Sequence, residues 1–172
     1  EIATAAHTLM IVDEVATGVG RTGRFWACEH ADIAPDLLTL GKGITAGYLP
    51  LSAVLATEAV YEAFLGAPDE ARTFFHGHSY TANPLACAVS IANLELMDAH
   101  GTVAHAAQVG ERIGRLLRPL DDHPGVREVR RIGTMTGIEV GVEVTITVET
   151  AADRVGCRSC GVIASLHDRR RV

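Results

Sequence analysis

Two side chains of the sequence, Asp13 and Lys42, could take part in the same chemistry. Each follows a short apolar run that predicts a buried strand, at residues 8–12 and 36–40 respectively. In open α/β sheets, ligands bind at the carboxyl ends of the strands. A carboxylate and an amine at that edge could form a structural ion pair, or they could serve one ligand from opposite sides.

Lys42 differs from the other basic residues of the chain. Of the 15 basic residues it is the only lysine, and Gly41 and Gly43 flank it. Arginine keeps its charge, whereas a lysine can lose its proton when buried and become a nucleophilic amine. A lysine amine forms a Schiff base with an aldehyde, and a carboxylate can hold a proton on a pyridine nitrogen. The pair therefore suits pyridoxal 5'-phosphate. A codon bias toward arginine, which leaves one lysine by chance, would also explain why Lys42 is the only lysine.

A competing interpretation starts from residues 9–14, where four apolar residues precede Asp-Glu, as in the magnesium strand of a nucleotide hydrolase. That class needs a phosphate loop of the form G-x-x-x-x-G-K-[ST]. Around Lys42 the match fails twice, because Asp36 stands at the first glycine and Gly43 at the Ser/Thr position. The mismatch argues against a nucleotide hydrolase.

Two other motifs could bind a metal, but both are incomplete. His76 and His78 flank a glycine without a further ligand at zinc spacing, and Cys157 and Cys160 form a lone C-x-x-C. We therefore expect no metal site.

Four motifs between residue 9 and about residue 96 closely resemble the class III pyridoxal-phosphate aminotransferases. They are VDEVATGVGRTG at 12–23, ACEH at 27–30, PDLLTLGKGIT at 35–45 and HGHSYTANPLACA at 76–88. The resemblance implies an α/β fold. The chain would be a fragment of the large domain of a fold-type I pyridoxal-phosphate transferase, a mostly parallel sheet with helices, plus part of the small C-terminal α+β domain.

The resemblance also assigns roles to four residues. Lys42 would form the Schiff base with pyridoxal 5'-phosphate and shuttle a proton between the substrate carbon and the cofactor. Asp13 would pair with the pyridinium nitrogen, and Val15 would pack on the face of the ring. Ser79 stands where the family has the hydroxyl that binds the cofactor phosphate of the neighbouring subunit, which implies a homodimer.

Three segments narrow the expected substrate within the family. ATG at 16–18, ACEH at 27–30 and GYLPLS at 47–52 look most like the members that convert 8-amino-7-oxononanoate to 7,8-diaminononanoate in biotin biosynthesis. The amino donor of that group is S-adenosylmethionine in many members and lysine in some relatives, and residues 76–79 are closer to the latter. An omega-amino acid or diamine aminotransferase of the same class, and an inactive fragment of one, stay open as alternatives.

The predicted elements divide the chain into three parts. Residues 1–98 are expected to belong to the cofactor-binding large domain, with a further strand at 51–56 and a helix that Asn83-Pro84 begins and that runs buried to about residue 98. Residues 99–143 would belong to the small domain, with a helix capped by Thr102 and strands at 126–131 and 135–140. The resemblance fades beyond about Glu143, and residues 144–172 look like a divergent tail, frameshifted or disordered.

Composition limits the partners and the compartment. With 48% hydrophobic and 21% charged residues over 172 positions, the chain is globular in type. Residues 1–100 hold 12 Asp and Glu against 4 Lys and Arg, which argues against a nucleic-acid partner. No apolar run reaches membrane length, the N-terminus shows no signal peptide, and the 4 cysteines suggest no disulfide framework, so we expect a cytoplasmic protein without a membrane partner.

Overall fold

The structure, a computed structural model, describes residues 2–141, 155–156 and 163–164. Its contacts define two compact units. The first comprises Glu1–Leu117 with Arg131–Thr136, and the second comprises Arg118–Arg130 with Gly137–Val172. The expected tail at 144–172 lies outside the described residues, apart from β6 (Val155–Gly156) and β7 (Ile163–Ala164), which pair antiparallel. The domain assignment at residue 98 stays a prediction.

The first unit contains a three-stranded sheet in the order β1-β2-β3. Helix α1 (Ile2–Ala5) precedes it, and the strands are β1 (Ile11–Asp13), β2 (Leu37–Leu40) and β3 (Ala53–Ala56). β1 and β2 run parallel with Asp13 opposite Thr39, and β3 pairs with β2 antiparallel. The three strands that the sequence predicts are therefore present. Each is shorter than predicted, and β1 ends one residue later, at Asp13.

The central strand β2 is the most buried of the three strands. Its residues alternate in burial, and Leu38 and Leu40 are only 6% and 4% exposed. By contrast Ile11 in β1 is 65% exposed, so the prediction of a buried strand is wrong for β1. The described residues cover little of the Ile11 side chain, and among them β1 has a neighbouring strand on one side only.

Helices and 3₁₀ turns connect and follow the strands. The helices are α2 (Glu58–Glu62), α3 (Pro84–Ala99) and α4 (Thr102–Leu117), and the 3₁₀ turns of this unit are Ala27–Ala31, Lys42–Thr45 and Pro68–Glu70. The start of α3 is as predicted, since Asn83 Oδ1 accepts hydrogen bonds from the backbone N–H groups of Leu85 at 3.0 Å and Ala86 at 3.3 Å. Thr102 is the first residue of α4 rather than its cap.

The predicted burial of α3 is wrong. Only Ala86 and Ser90 of this helix are buried, whereas Leu85 is 71% exposed and Ile91 and Leu96 are each 58% exposed. The helix contacts the 3₁₀ turn after β2 and helix α4, and several of its larger apolar side chains are exposed. The apolar composition of the helix predicted that its surface is buried, but much of that surface is exposed in this chain.

The second unit contains the 3₁₀ turn Arg118–Leu120 and most of a two-stranded sheet, formed by β4 (Val126–Ile132) and β5 (Met135–Val140). Both strands agree with the predicted bounds to within one residue. Glu139 lies 3.7 Å from Arg127 and 3.7 Å from Arg130 in exposed ion pairs. No helix within the described ranges has the length and apolar character needed to cross a membrane.

Candidate active site

Asp13 ends β1 with its carboxylate fixed by two hydrogen bonds. Oδ1 accepts from the backbone N–H of Val15 at 2.9 Å and from Thr39 Oγ1 at 3.1 Å. The second bond follows from the parallel register, which places Thr39 of β2 opposite Asp13. Both donors use Oδ1, so among the described residues Oδ2 has no protein donor and can accept one from a ligand.

Lys42 begins the 3₁₀ turn Lys42–Thr45, directly after β2 and Gly41. Its φ of +42° lies in the left-handed region, which costs an L-residue about 1–2 kcal/mol. Gly43 is close-packed, because a Cβ there would lie 3.0 Å from Val19 Cβ and Val19 would have to shift by a few tenths of an ångström. The lysine thus sits in an unfavourable backbone conformation that its surroundings must maintain.

Lys42 faces two cavities of the first unit. The smaller, of about 360 Å³, is also lined by Val15, Gly43 and Thr134. The larger, of about 1040 Å³, extends from Lys42 past Ser52 to the chain around residues 78–86. The structure therefore brings Val15 and Lys42 to one cavity, and it places Asp13 at the end of the adjacent parallel strand.

Ser79 lies apart from these three residues. It is exposed, in a turn that precedes α3, and it is absent from the lining of the larger cavity although His78 and Tyr80 both contribute to it. Its expected contact with the phosphate of a neighbouring subunit stays a prediction.

Glu14, next to Asp13, is a buried anion that the sequence analysis did not single out. It is 1% exposed, and its carboxylate accepts hydrogen bonds from Thr17 Oγ1 at 2.6 Å and from the backbone N–H of Cys28 at 2.7 Å. Burial alone would raise the pKa of Glu14, but these bonds and one from the backbone of Ala27 outweigh it and lower the pKa. Glu14 thereby ties the segment that carries Val15 to the 3₁₀ turn Ala27–Ala31.

The contact between Glu14 and Cys28 shifts the pKa of the Cys28 thiol in the opposite direction. Burial, the hydrogen bond with Glu14 and the Glu14 charge all raise the pKa of Cys28, although its own backbone opposes them. A thiol held protonated is a poor nucleophile. Cys28 is therefore better explained as packing than as chemistry.

The described residues contain no group of three or more His, Cys, Asp or Glu side chains that could hold a metal ion. His78 Nδ1 accepts a hydrogen bond from the backbone N–H of Tyr80 at 3.1 Å, which gives this histidine a local role in its turn. Cys157 and Cys160 lie outside the described residues.

Three residues of the site escaped sequence reasoning: Glu14, Thr39 and Asn93. Asn93 of α3 donates to the carbonyl oxygens of Gly43 and Ile44, immediately after Lys42. A signal existed for Thr39, because two parallel strands that end at Asp13 and near Lys42 must place some residue of the second strand opposite Asp13. Asn93 had no comparable signal, since it lies 50 residues from Gly43 along the chain.

Comparison with known proteins identifies the family. The family model described as "Aminotransferase class-III" matches residues 1–167. The chain is 47% identical over 163 residues to the adenosylmethionine-8-amino-7-oxononanoate aminotransferase of Nitratidesulfovibrio vulgaris. That match covers 94% of this chain and 29% of the relative.

Solved structures agree in fold. The adenosylmethionine-8-amino-7-oxononanoate aminotransferase of Methanocaldococcus jannaschii matches with a TM-score of 0.75 and 39% identity, over 80% of this chain and 32% of that one. A thermostable (S)-enantioselective omega-transaminase from Thermomicrobium roseum also gives 0.75, with 36% identity over 81% and 31%. The expected α/β fold is thus confirmed, and the chain spans about a third of the length of these proteins. The chain belongs to the class III aminotransferases, a pyridoxal-phosphate-dependent family.

Proposed function

We propose that this chain contributes Lys42 and Asp13 to the cofactor site of a complete aminotransferase, called the parent protein below. The parent protein would convert 8-amino-7-oxononanoate to 7,8-diaminononanoate in biotin biosynthesis. The observation that carries the proposal is the placement of Asp13 and Lys42 at the carboxyl ends of two adjacent parallel strands, with Val15 and Lys42 on one cavity. The name of the relative from Nitratidesulfovibrio vulgaris supports the substrate.

The donor set of the site fits pyridoxal 5'-phosphate. The cofactor, when bound, supplies an aldehyde that captures amines and a ring that accepts electrons as a proton leaves the substrate carbon. Asp13 holds a proton on the ring nitrogen through Oδ2, while the bonds from Val15 and Thr39 to Oδ1 fix the plane of the carboxylate. The carboxylate is thereby oriented before any ligand arrives, which is the arrangement that stabilises charge most effectively.

Lys42 carries the covalent and proton-transfer roles. Its Nζ would bind the aldehyde of the cofactor, and as a free amine beside the substrate carbon it would take a proton and return it. Lys42 lines both cavities, so the amine can serve a ring in one and a substrate in the other. Val15, which lines the smaller cavity, would pack against one face of the cofactor ring.

The partner subunit and the compartment belong to the same proposal. Ser79 is exposed on the segment before α3, which suits a hydroxyl that binds the phosphate held by a second copy. The parent protein would then act as a homodimer, in the cytoplasm.

The amino donor is S-adenosylmethionine or lysine. The names of the relatives from Nitratidesulfovibrio vulgaris and Methanocaldococcus jannaschii support the first. The alternative of an omega-amino acid or diamine aminotransferase rests on the omega-transaminase of Thermomicrobium roseum, whose fold matches equally well.

The assay that tests the proposal uses the purified parent protein with pyridoxal phosphate. It follows formation of 7,8-diaminononanoate from 8-amino-7-oxononanoate with each donor separately. Turnover with either donor supports the proposal, and the faster donor is assigned. Turnover only of a simple omega-amino acid or diamine would overturn the biotin-pathway assignment and leave the family membership intact.

A further inference from the structure

The backbone that carries Lys42 is held by a side chain from a distant helix. Asn93, in the middle of α3, donates from Nδ2 to the carbonyl oxygen of Gly43 at 3.0 Å and to that of Ile44 at 3.1 Å. Asn93 is half-buried, so water competes weakly for these bonds. The two carbonyls belong to the two residues that follow Lys42.

The turn that Asn93 contacts is unfavourable at both ends. Lys42 at its start has a φ of +42°, and Ala46 just after it has a φ of +51°. Neither residue is glycine, so each adopts the left-handed region at a cost. Backbone conformations of this kind persist only where surrounding contacts determine them.

The other hydrogen bonds that the structure describes for the turn are local to it. The Gly43 carbonyl also accepts from the Ala46 N–H at 3.1 Å, and Thr45 Oγ1 donates to the Leu49 carbonyl at 2.6 Å. These bonds shape the turn but do not attach it to another element. Asn93 attaches the turn to α3. This helix has 16 residues, and at its start the Asn83 side chain accepts two backbone hydrogen bonds.

We propose that Asn93 is a positioning residue for Lys42: its two hydrogen bonds keep the turn left-handed at Lys42 and so hold the amine beside the two cavities that Lys42 lines. The inference rests on the proposed function, because it assumes that Lys42 is the reactive amine. Asn93 itself lines neither of the two cavities. Its effect reaches the reaction only through the backbone of Gly43 and Ile44.

The chemistry requires such control. Lys42 must bind the aldehyde and later move a proton at the substrate carbon, two tasks that need its Nζ within a narrow range of positions. A misplacement of about 1 Å can reduce a rate about 100-fold. A lysine side chain has a flexible four-carbon stem, so its backbone is the part that the fold can fix.

The test compares Asn93→Asp and Asn93→Ala with the unaltered parent protein. Asn93→Asp keeps the shape but offers acceptors to two carbonyl oxygens, whereas Asn93→Ala removes the contact and favours the helix. Glu95→Ala serves as the matched control, because Glu95 is exposed on the same helix. The measurements are kcat, KM for the amino donor, thermal unfolding, and the pH midpoint of the visible absorbance of the bound cofactor.

We expect both Asn93 variants to lower kcat at least tenfold, with KM for the donor changed by less than about threefold. The absorbance midpoint should also move, since it reports the surroundings of the amine that holds the cofactor. Glu95→Ala should change none of these values. Variants that lose thermal stability but keep the kcat and the absorbance midpoint of the control would overturn the inference and leave Asn93 a structural residue.

The absorbance titration keeps this test separate from the proposed function. If the parent protein binds the cofactor at Lys42 but does not use 8-amino-7-oxononanoate, the substrate assignment fails. The shift in Asn93→Asp still decides the positioning role. An unshifted midpoint in Asn93→Asp, with the cofactor bound at Lys42, contradicts the inference whichever substrate is used.

Discussion

Thr39 and Asp13 face each other across β2 and β1, and the Thr39 hydroxyl donates to Asp13 Oδ1 at 3.1 Å. The bond joins the two strands whose ends carry the proposed cofactor contacts. It also leaves Oδ2 as the oxygen that a ligand can use. The threonine therefore orients the carboxylate rather than competing for it.

Replacing Thr39 with valine should weaken cofactor binding without unfolding the parent protein. Valine keeps the branched shape that suits a strand but removes the donor to a charged acceptor, an interaction of about 1.5–3 kcal/mol. We expect the Kd for pyridoxal phosphate to rise about tenfold, measured by equilibrium dialysis. Thr39→Ser, which restores a hydroxyl, should recover most of the affinity. Equal affinity in all three proteins would argue that Thr39 is only a strand residue.

Replacing Asp13 with asparagine should separate attachment of the cofactor from catalysis. The amide preserves the shape but cannot hold the ring nitrogen in its protonated state, so the ring accepts electrons poorly. We expect kcat to fall at least 100-fold, a loss typical of removing one preorganised electrostatic contact. Borohydride should still fix the cofactor on the protein. Asp69→Asn, at an exposed position, is the control; a kcat of Asp13→Asn equal to that of the control would reduce Asp13 to a structural anion.

The Glu14 carboxylate should make the parent protein sensitive to acid. Its pKa in the folded state lies below the usual value of 4.5, so its stabilising contribution is present above that pH. The contribution is lost as the pH falls from about 4.5 through the lowered pKa. Thermal unfolding measured from pH 7 down to pH 3 should show this loss.

Two variants isolate the Glu14 effect. Glu14→Ala leaves the Cys28 N–H without its acceptor and should cost about 2–3 kcal/mol at pH 7. Glu14→Gln can still accept from Cys28 and donate to the Thr17 hydroxyl, so it should lose less at pH 7 and show a smaller acid-side decline. An acid-side decline in Glu14→Gln as steep as in the unaltered protein would place the titrating group elsewhere.

The sequence could reveal Asp13, Lys42 and the start of α3 because each depends on local features. Asp13 and Lys42 end apolar runs, and Asn83-Pro84 is a start signal that needs no tertiary information. Thr39 and Asn93 could not be found in this way. Their partners lie 26 and 50 residues away, so they depend on strand register and on how α3 packs.

The predictions that α3 and β1 are buried were wrong for a different reason. Apolar side chains such as Ile91 and Ile11 indicate that a surface needs cover, but they do not say which part of a protein supplies it. In this chain that surface stays exposed, and Leu38, Leu40 and Ala86 are the only buried apolar residues in the described part. The matched relatives are about three times as long, which is consistent with cover from other segments of the parent protein.

Residues 1–172 expressed alone should be poorly soluble and inactive as a transaminase. Exposed apolar side chains such as Phe75 at 93%, Leu85 at 71% and Ile91 at 58% favour association between copies. Replacing Leu85 and Ile91 with glutamate should raise the soluble yield, measured by sedimentation after lysis, without restoring turnover. A soluble unaltered chain with cofactor absorbance and turnover would refute this prediction.

The central claim, that Lys42 holds the cofactor, is tested by reducing the parent protein with borohydride in the presence of pyridoxal phosphate and mapping the tryptic peptides. Trypsin cleaves after Arg24, Lys42 and Arg72, but a lysine that carries the reduced cofactor resists cleavage. The reduced protein should therefore yield one cofactor-bearing peptide of residues 25–72, and Lys42→Arg should yield none and show no transamination. Cofactor on a peptide from any other part of the parent protein, with residues 25–42 and 43–72 recovered separately and unmodified, would contradict the account.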